Sequence, residues 1–104
     1  MPRFVVLEHD FPDLHWDLML EVGPVLKTWR LTHPPASDGG RVNAVPIADH
    51  RLVYLDYEGP ISGNRGTVKR WDWGEYQIEE GTDRIRLAGV KVQGVLSLRE
   101  TINP

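Results

Sequence analysis

The sequence predicts a mainly β protein, a small closed or nearly closed β-barrel with one or two short helices. Three observations predict it. Short apolar or alternating runs recur along the chain. Gly and Pro, 10 and 8 of the 104 residues, punctuate the junctions between those runs. No segment carries an apolar stripe at helical spacing long enough for a stable surface helix. A chain of 104 residues is expected to form one domain, residues 1–104, and to bury roughly two thirds of its unfolded surface around one modest core. Many short strands around one core favour a curved sheet that closes on itself.

Each element has a local reason. Phe4–His9 reads as a first strand on its apolar run. A short helix fits near Asp10–Leu14. Leu14–Val22 alternates, and with Val25–Leu31 it makes a hairpin through Gly23-Pro24. His33–Gly40 is a loop, broken by two prolines and two glycines. Val42–Ile47 is a short strand whose Pro46 marks an edge or a bulge. Leu52–Tyr57 reads as a strand ending at Glu58-Gly59-Pro60, and Ser62–Gly66 as a tight loop. Thr67–Trp71, Glu75–Glu79, Arg84–Leu87 and Gly94–Leu98 complete the set, with turns at Asp72-Trp73-Gly74 and Glu80-Gly81. Gly89–Gly94 suits a two-faced strand or hairpin. Trp71 and Trp73 read as packing residues flanking a turn.

Composition narrows the function classes. There are no cysteines, so disulfides and thiolate metal sites are excluded, and any metal must use His, Asp, Glu or water. No apolar run reaches the roughly 20 residues that span a bilayer, and Met1–Val6 lacks the apolar stretch of a secretion signal. A cytoplasmic location with no membrane partner is the expectation. The net charge of −3 argues against a nonspecific nucleic-acid binder held by a broad basic face. It leaves room for recognition of one phosphate or strand end, with local basic clusters at Arg65, Lys69 and Arg70 and at Arg41 and Arg51 beside His50.

The segment His9–Asp17 holds two of the four histidines, with an aspartate two residues after the second. Side chains at i and i+2 share a strand face, so His15 and Asp17 point one way and Trp16, Leu18 and Leu20 the other. His9 ends the preceding strand, and the Asp10–Asp13 link is long enough to fold it beside His15. Histidines near strand ends are commonly surface groups or satisfied hydrogen-bond partners. Two imidazoles with one carboxylate nevertheless form a nitrogen and oxygen set with open positions, suited to Mn²⁺, Zn²⁺ or Fe²⁺. On spacing alone His50 reads as a loop histidine without chemistry, although it and Tyr54, four apart, share a face if Asp49–Tyr54 is extended.

Phe4-Val-Val-Leu-Glu-His9, His15-Trp-Asp17-Leu-Met-Leu-Glu21, Val25-Leu-Lys-Thr-Trp29, Ala48-Asp-His50-Arg-Leu-Val-Tyr54, Tyr57-Glu-Gly59, Gly66-Thr-Val68, Trp71-Asp-Trp-Gly74 and Arg84–Arg99 together resemble the 3′-phosphoesterase domain of bacterial ATP-dependent DNA ligase D, nearly end to end. That resemblance implies a small β-barrel that removes blocking groups from nucleic-acid 3′ ends with the help of a metal ion. The substrates it implies are primer-template DNA with a terminal 3′-phosphate and DNA with a terminal ribonucleotide. Manganese is the implied ion, with Zn²⁺ or Co²⁺ as alternatives. By the same resemblance His9, His15 and Asp17 are metal ligands, His50 contacts the scissile phosphate, and Tyr54 lines the pocket. The implied context is DNA end repair, with a DNA ligase or polymerase met in trans.

Three positions depart from the family pattern. Met19 stands where the family has an arginine. His33 replaces a phosphate-binding lysine, and the basic residue before the Asp-His motif is shifted by one, to Arg41. Losing a charge-assisted phosphate contact costs about 1.5–3 kcal/mol, so these departures are expected to weaken turnover. His33 and Arg41 remain the expected phosphate contacts beside His50 and Tyr54. The alternative reading is a degenerate, non-catalytic module that binds nucleic-acid ends or a protein in a metal-dependent way. A barrel stabilised by a structural ion ranks below both, because an open three-ligand site is unusual in that role.

Overall fold

Successive side chains on a strand point to opposite faces, and the first two strands use both faces. β1 (Arg3–His9) and β2 (His15–Val22) send Phe4, Val6, Leu18 and Leu20 to one side and Val5, Leu7 and Met19 to the other. The first set meets residues from every other long strand, including Trp29, Ala44, Tyr76, Leu87 and Leu96, in the main core. Only a sheet closed on itself gives all its strands a shared inner face.

The computed structural model describes residues 1–100, and the last four positions of the expected domain, 101–104, lie outside them. β3 (Val25–Leu31) pairs with β2, β4 (Gly39–Arg51) with β3, and β8 (Gln93–Glu100) with β4. β7 (Arg84–Gly89) joins β8 to β6 (Thr67–Ile78), and β6 pairs with β1 to close a barrel of seven strands. β5 (Gly59–Pro60) adds a two-residue edge to β6. Among the described residues every strand pairing is antiparallel except β4–β8. The barrel and the Gly23-Pro24 hairpin agree with the sequence reading. Among the described residues no helix is long and apolar enough to cross a membrane.

The outward set makes a second apolar cluster. Val5, Leu7, Met19, Leu26 and Val68 are covered by Leu55, with Leu52, Tyr54, Tyr57 and Ile61 packed alongside. The segment between β4 and β6 thus lies as a flap on the outer wall of β1, β2 and β3. Burying a Leu or Val side chain is worth about 1.5–3 kcal/mol, which fastens the flap without a long helix.

Several local expectations are corrected. Leu52–Tyr57 is not a strand: Leu52–Leu55 is a 3₁₀ turn, which puts Leu52 and Leu55, three apart, on the covered side. Asp10–Leu14 forms bends and no helix. It is tied instead to β6, where the Thr67 backbone N–H donates to Asp10 Oδ1 at 2.7 Å. Asp72-Trp73-Gly74 is no turn, so Thr67–Ile78 runs as one strand of 12 residues. The Asp72 carboxylate accepts backbone N–H bonds from the β7–β8 connection, which holds its segment extended. Trp71 packs partly buried against the core, whereas Trp73 is exposed, so only the first acts as a packing residue there.

Candidate metal centre

Antiparallel register brings the first ligands together. His9 pairs directly with His15 across β1 and β2, and Leu7 pairs with Asp17. Directly paired residues on one face lie within side-chain reach. The two imidazole rings meet edge to face, with centroids 4.9 Å apart. His15 Nε2 stands 3.3 Å from Asp17 Oδ2, and His9 Nδ1 stands 3.9 Å from the same oxygen. One donor atom from each of the three residues falls within 4.8 Å of the others. Two donors about 2.1 Å from one ion lie roughly 3.0–3.4 Å apart, so the cluster needs little movement to close on a cation.

The backbone selects which nitrogens face that point. His9 Nε2 lies 2.8 Å from the Arg65 carbonyl, and His15 Nδ1 lies 2.8 Å from the Asp13 carbonyl. A carbonyl only accepts, so both of these nitrogens carry N–H. In the neutral rings His9 Nδ1 and His15 Nε2 are then bare lone pairs, both turned toward a carboxylate oxygen. A proton shared between His15 Nε2 and Asp17 Oδ2, 3.3 Å apart, satisfies that pair, and a cation between the three groups satisfies all of them. Asp17 is 4% exposed, and its Oδ1 makes no hydrogen bond among the described residues. The donor set therefore fits a divalent cation held by His9 Nδ1, His15 Nε2 and Asp17.

The loop that supplies the Arg65 carbonyl is tightly built. Arg65 Nε donates to the Ser62 carbonyl at 2.7 Å, and the Ile61 N–H donates to the Gly66 carbonyl at 2.8 Å. Gly66 adopts φ +77°, and a Cβ there would strike the Asp10 carboxylate and Phe11. Glycine is thus required for this loop to approach the bend after β1.

The opposite wall comes from β4. Its pairing with β3 slips between Ile47 and His50, so β4 holds one residue more than its partner. Past the bulge His50 pairs with Leu26, which puts it on the outer face of the sheet. Pro46, one pair before Ile47, lies beyond Ala44, the last residue that β8 pairs, so its missing N–H breaks no ladder on that side. His50 Nδ1 lies 2.9 Å from the Ala48 carbonyl and 3.1 Å from Thr28 Oγ1, while the Thr28 hydroxyl donates to the Leu26 carbonyl at 2.9 Å. Nδ1 therefore carries the proton, and Nε2 is the nitrogen left for chemistry. The Tyr54 ring packs edge-on against His50 and Tyr57, with centroids 5.7 and 5.8 Å away. His50 and Tyr54 share the pocket although Leu52–Leu55 is not extended, because the 3₁₀ turn folds Tyr54 back.

Together these groups line a cleft of about 320 Å³. His9, Asp17, His50 and Tyr54 border it, and His15 stands behind Asp17. His33 and Arg41 do not border it: both are exposed, His33 on the loop after β3 and Arg41 beside Ser97 on β4. Arg30 and Arg65 border it instead. Arg65 is one of the basic residues that the sequence marks. Arg30 was not singled out, yet the hairpin turn fixes its place: counting back from the Val22–Val25 pair sets Arg30 opposite Asp17.

Residues 7–100 match the family model of the DNA Ligase D 3′-phosphoesterase domain. The chain is 34% identical over 104 residues to the multifunctional non-homologous end joining protein LigD of Pseudomonas aeruginosa, a match covering 88% of this chain and 12% of that protein. It is 34% identical over 110 residues to the LigD non-homologous end joining DNA repair protein of Mycobacterium tuberculosis, covering 94% of this chain and 14% of the relative. The Mycolicibacterium smegmatis protein is 30% identical over 117 residues, with 95% and 15% covered. The chain thus spans a small part of the length of these relatives.

Proposed function

The chain belongs to the DNA ligase D 3′-phosphoesterase domain family, and on that premise we propose that it is a metal-dependent phosphoesterase of DNA end repair. It trims a 3′-phosphate or a 3′-ribonucleoside from a nucleic-acid strand and leaves a 3′-hydroxyl. The observation that carries this reading is the convergence of His9 Nδ1, His15 Nε2 and Asp17 Oδ2 at the edge of a cleft whose far wall is His50. The borderline nitrogen and oxygen donors suit Mn²⁺, with Zn²⁺ or Co²⁺ as substitutes.

A divalent ion at this position supplies Lewis-acid withdrawal of charge from a phosphoryl oxygen and a lowered pKa for water. The chain's own groups do the rest. His9 and His15 are oriented by the Arg65 and Asp13 carbonyls, so no ring has to turn when the cation enters. His50, pinned through Nδ1, presents Nε2 to the cleft; when the ring is charged, Nε2 donates to a phosphoryl oxygen or gives its proton to the leaving oxygen. The Tyr54 hydroxyl adds a second donor on that wall. The 3′-hydroxyl product is what a DNA polymerase extends and a DNA ligase seals, so such enzymes are the natural partners.

The test is incubation of the protein with Mn²⁺ and a 3′-phosphorylated primer-template, or one ending in a ribonucleoside. Conversion to a 3′-hydroxyl that EDTA abolishes is the expected outcome. No conversion with Mn²⁺, Zn²⁺ or Co²⁺ at any pH from 5 to 9 would overturn the enzymatic reading and leave the non-catalytic binding module. Met19 favours that second reading, because its buried thioether offers no donor to a phosphate.

A further inference from the structure

Two guanidinium groups border the cleft, and they are not equivalent. Arg65 is engaged, since its Nε donates to the Ser62 carbonyl at 2.7 Å and Nη2 reaches Ser62 Oγ at 3.3 Å. Arg30 Nε is not engaged. It is 3.8 Å from Asp17 Oδ1, beyond hydrogen-bond distance. Both atoms are shielded from solvent and make no hydrogen bond among the described residues. The two imidazoles approach Oδ2 and the guanidinium approaches Oδ1, so the carboxylate divides the cation cluster from Arg30. The Arg30 side chain is 43% exposed and lines the cleft. Guanidinium has five donors and no acceptor, and its planar fork matches two oxygens of a phosphoryl group.

We infer that Arg30 is the residue that grips the phosphoryl oxygens of the substrate, reaching over from β3 beside the cation held on β1 and β2. This inference rests on the phosphoesterase reading and adds a substrate-binding residue to it. Its position follows from register: Arg30 is the cross-strand partner of Asp17, so its side chain leaves the sheet on the same face. The next residue on that face of β2, Met19, supplies no donor, and His33 and Arg41 lie away from the cleft.

The test compares wild type with Arg30→Met and Arg30→Lys by three readouts. These are kcat/KM on a 3′-phosphorylated primer-template with Mn²⁺, Mn²⁺ affinity by electron paramagnetic resonance, and inorganic phosphate affinity of the Mn²⁺-loaded protein by calorimetry. Arg30→Met is expected to lose roughly ten- to a hundredfold in both kcat/KM and phosphate affinity, with Mn²⁺ affinity held within about threefold. Arg30→Lys, which keeps the charge but not the fork, should recover only part of the loss. Turnover by wild type with Arg30→Met unchanged would overturn the inference while leaving the phosphoesterase reading intact. If wild type does not turn over, that reading fails on its own and the phosphate titration decides. Binding lost in Arg30→Met then supports the grip; binding that is equal in both proteins, or absent from wild type, refutes it. Should Arg30→Met not fold, Arg30→Gln takes its place in the same measurements.

Discussion

Asp17 and Asp72 are both buried, at 4% and 0% exposure, and the chain surrounds them in opposite ways. Asp72 is saturated. Its Oδ1 accepts the backbone N–H groups of Trp73, Val90 and Lys91 at 2.9, 2.8 and 2.9 Å, and its Oδ2 accepts that of Val92 at 2.9 Å. Asp17 accepts no backbone N–H among the described residues; its Oδ1 is unbonded, and its Oδ2 faces two imidazoles. A buried carboxylate is costly unless its lone pairs are filled. Asp72 is filled by the fold and stabilises it. Asp17 meets only the His15 imidazole at 3.3 Å and the more distant His9 and Arg30, at 3.9 and 3.8 Å. The contrast sets an acid whose lone pairs the fold fills apart from one whose lone pairs it leaves open.

The sharpest way to break that contrast is Asp72→Ala. The substitution strips the acceptor from four backbone donors, three of which tie β6 to the β7–β8 connection. Each buried donor left unpaired costs about 1–3 kcal/mol, and water reaches some of these, so a total loss of about 3–5 kcal/mol is expected. Against the roughly 5–15 kcal/mol of a typical domain, this approaches unfolding. Urea denaturation followed by tryptophan fluorescence measures it, and a loss under about 1 kcal/mol would remove Asp72 from the structural side. Gly89 supports the same site by being small, because a Cβ there would collide with the Asp72 carboxylate and with Phe4.

Asp17→Asn should do the reverse. Without divalent cations its stability is expected to equal that of wild type or exceed it by up to about 1 kcal/mol, since an unfilled buried charge has been removed. With Mn²⁺ the difference inverts. A ligand present at a hundredfold its dissociation constant stabilises the folded state by about 2.7 kcal/mol. Wild type should therefore gain thermal stability on adding Mn²⁺, and Asp17→Asn, binding at least about a hundredfold more weakly, should not. Equal thermal shifts in the two proteins would mean that the cation sits elsewhere.

The same two residues show how far the sequence could be read. Asp17 was legible because its partners are local. The spacing of His15 and Asp17 states a shared face, and a short link from His9 to His15 makes their pairing the simple expectation. Asp72 was not legible. It stands before Trp-Gly, which has the chemistry of a turn, and what keeps that segment extended is a set of backbone donors some 20 residues further along. Backbone groups carry no side-chain signal, and the Arg65 carbonyl that orients His9 is hidden for the same reason. Leu52–Tyr57 failed differently, since a short apolar run fits a strand and a 3₁₀ turn equally until the surface it must cover is known. Closure of the barrel was legible from many short strands and one core. Arg30 was legible in principle by counting from the Gly23-Pro24 turn. His33 and Arg41 came from resemblance, which transfers spacing but neither the path of the loop after β3 nor the register of β4.

Tyr76 provides the smallest test, because it repeats the case of Asp72 with a neutral group. Its phenol is buried and donates to the Glu21 carbonyl at 2.6 Å, so the side chain is satisfied by the fold. Burial, helped by the nearby Glu21 carboxylate, pushes its pKa above the usual value near 10. A group whose folded pKa is raised contributes stability that is complete below the unfolded value and is lost as pH rises through the folded one. Wild type should therefore be level in this respect up to about pH 10 and weaken beyond it, as ionisation would put a charge in the barrel and cancel the donated hydrogen bond. Tyr76→Phe is expected to cost about 0.5–1.5 kcal/mol at neutral pH and to show a shallower alkaline decline, with Mn²⁺ affinity and turnover unchanged. Denaturation curves between pH 7 and 11 would show this, and a variant with the same alkaline slope as wild type would place the responsible group elsewhere. If the variant also lost Mn²⁺ affinity, the separation between residues that close the barrel and residues that serve the cleft would be too sharply drawn.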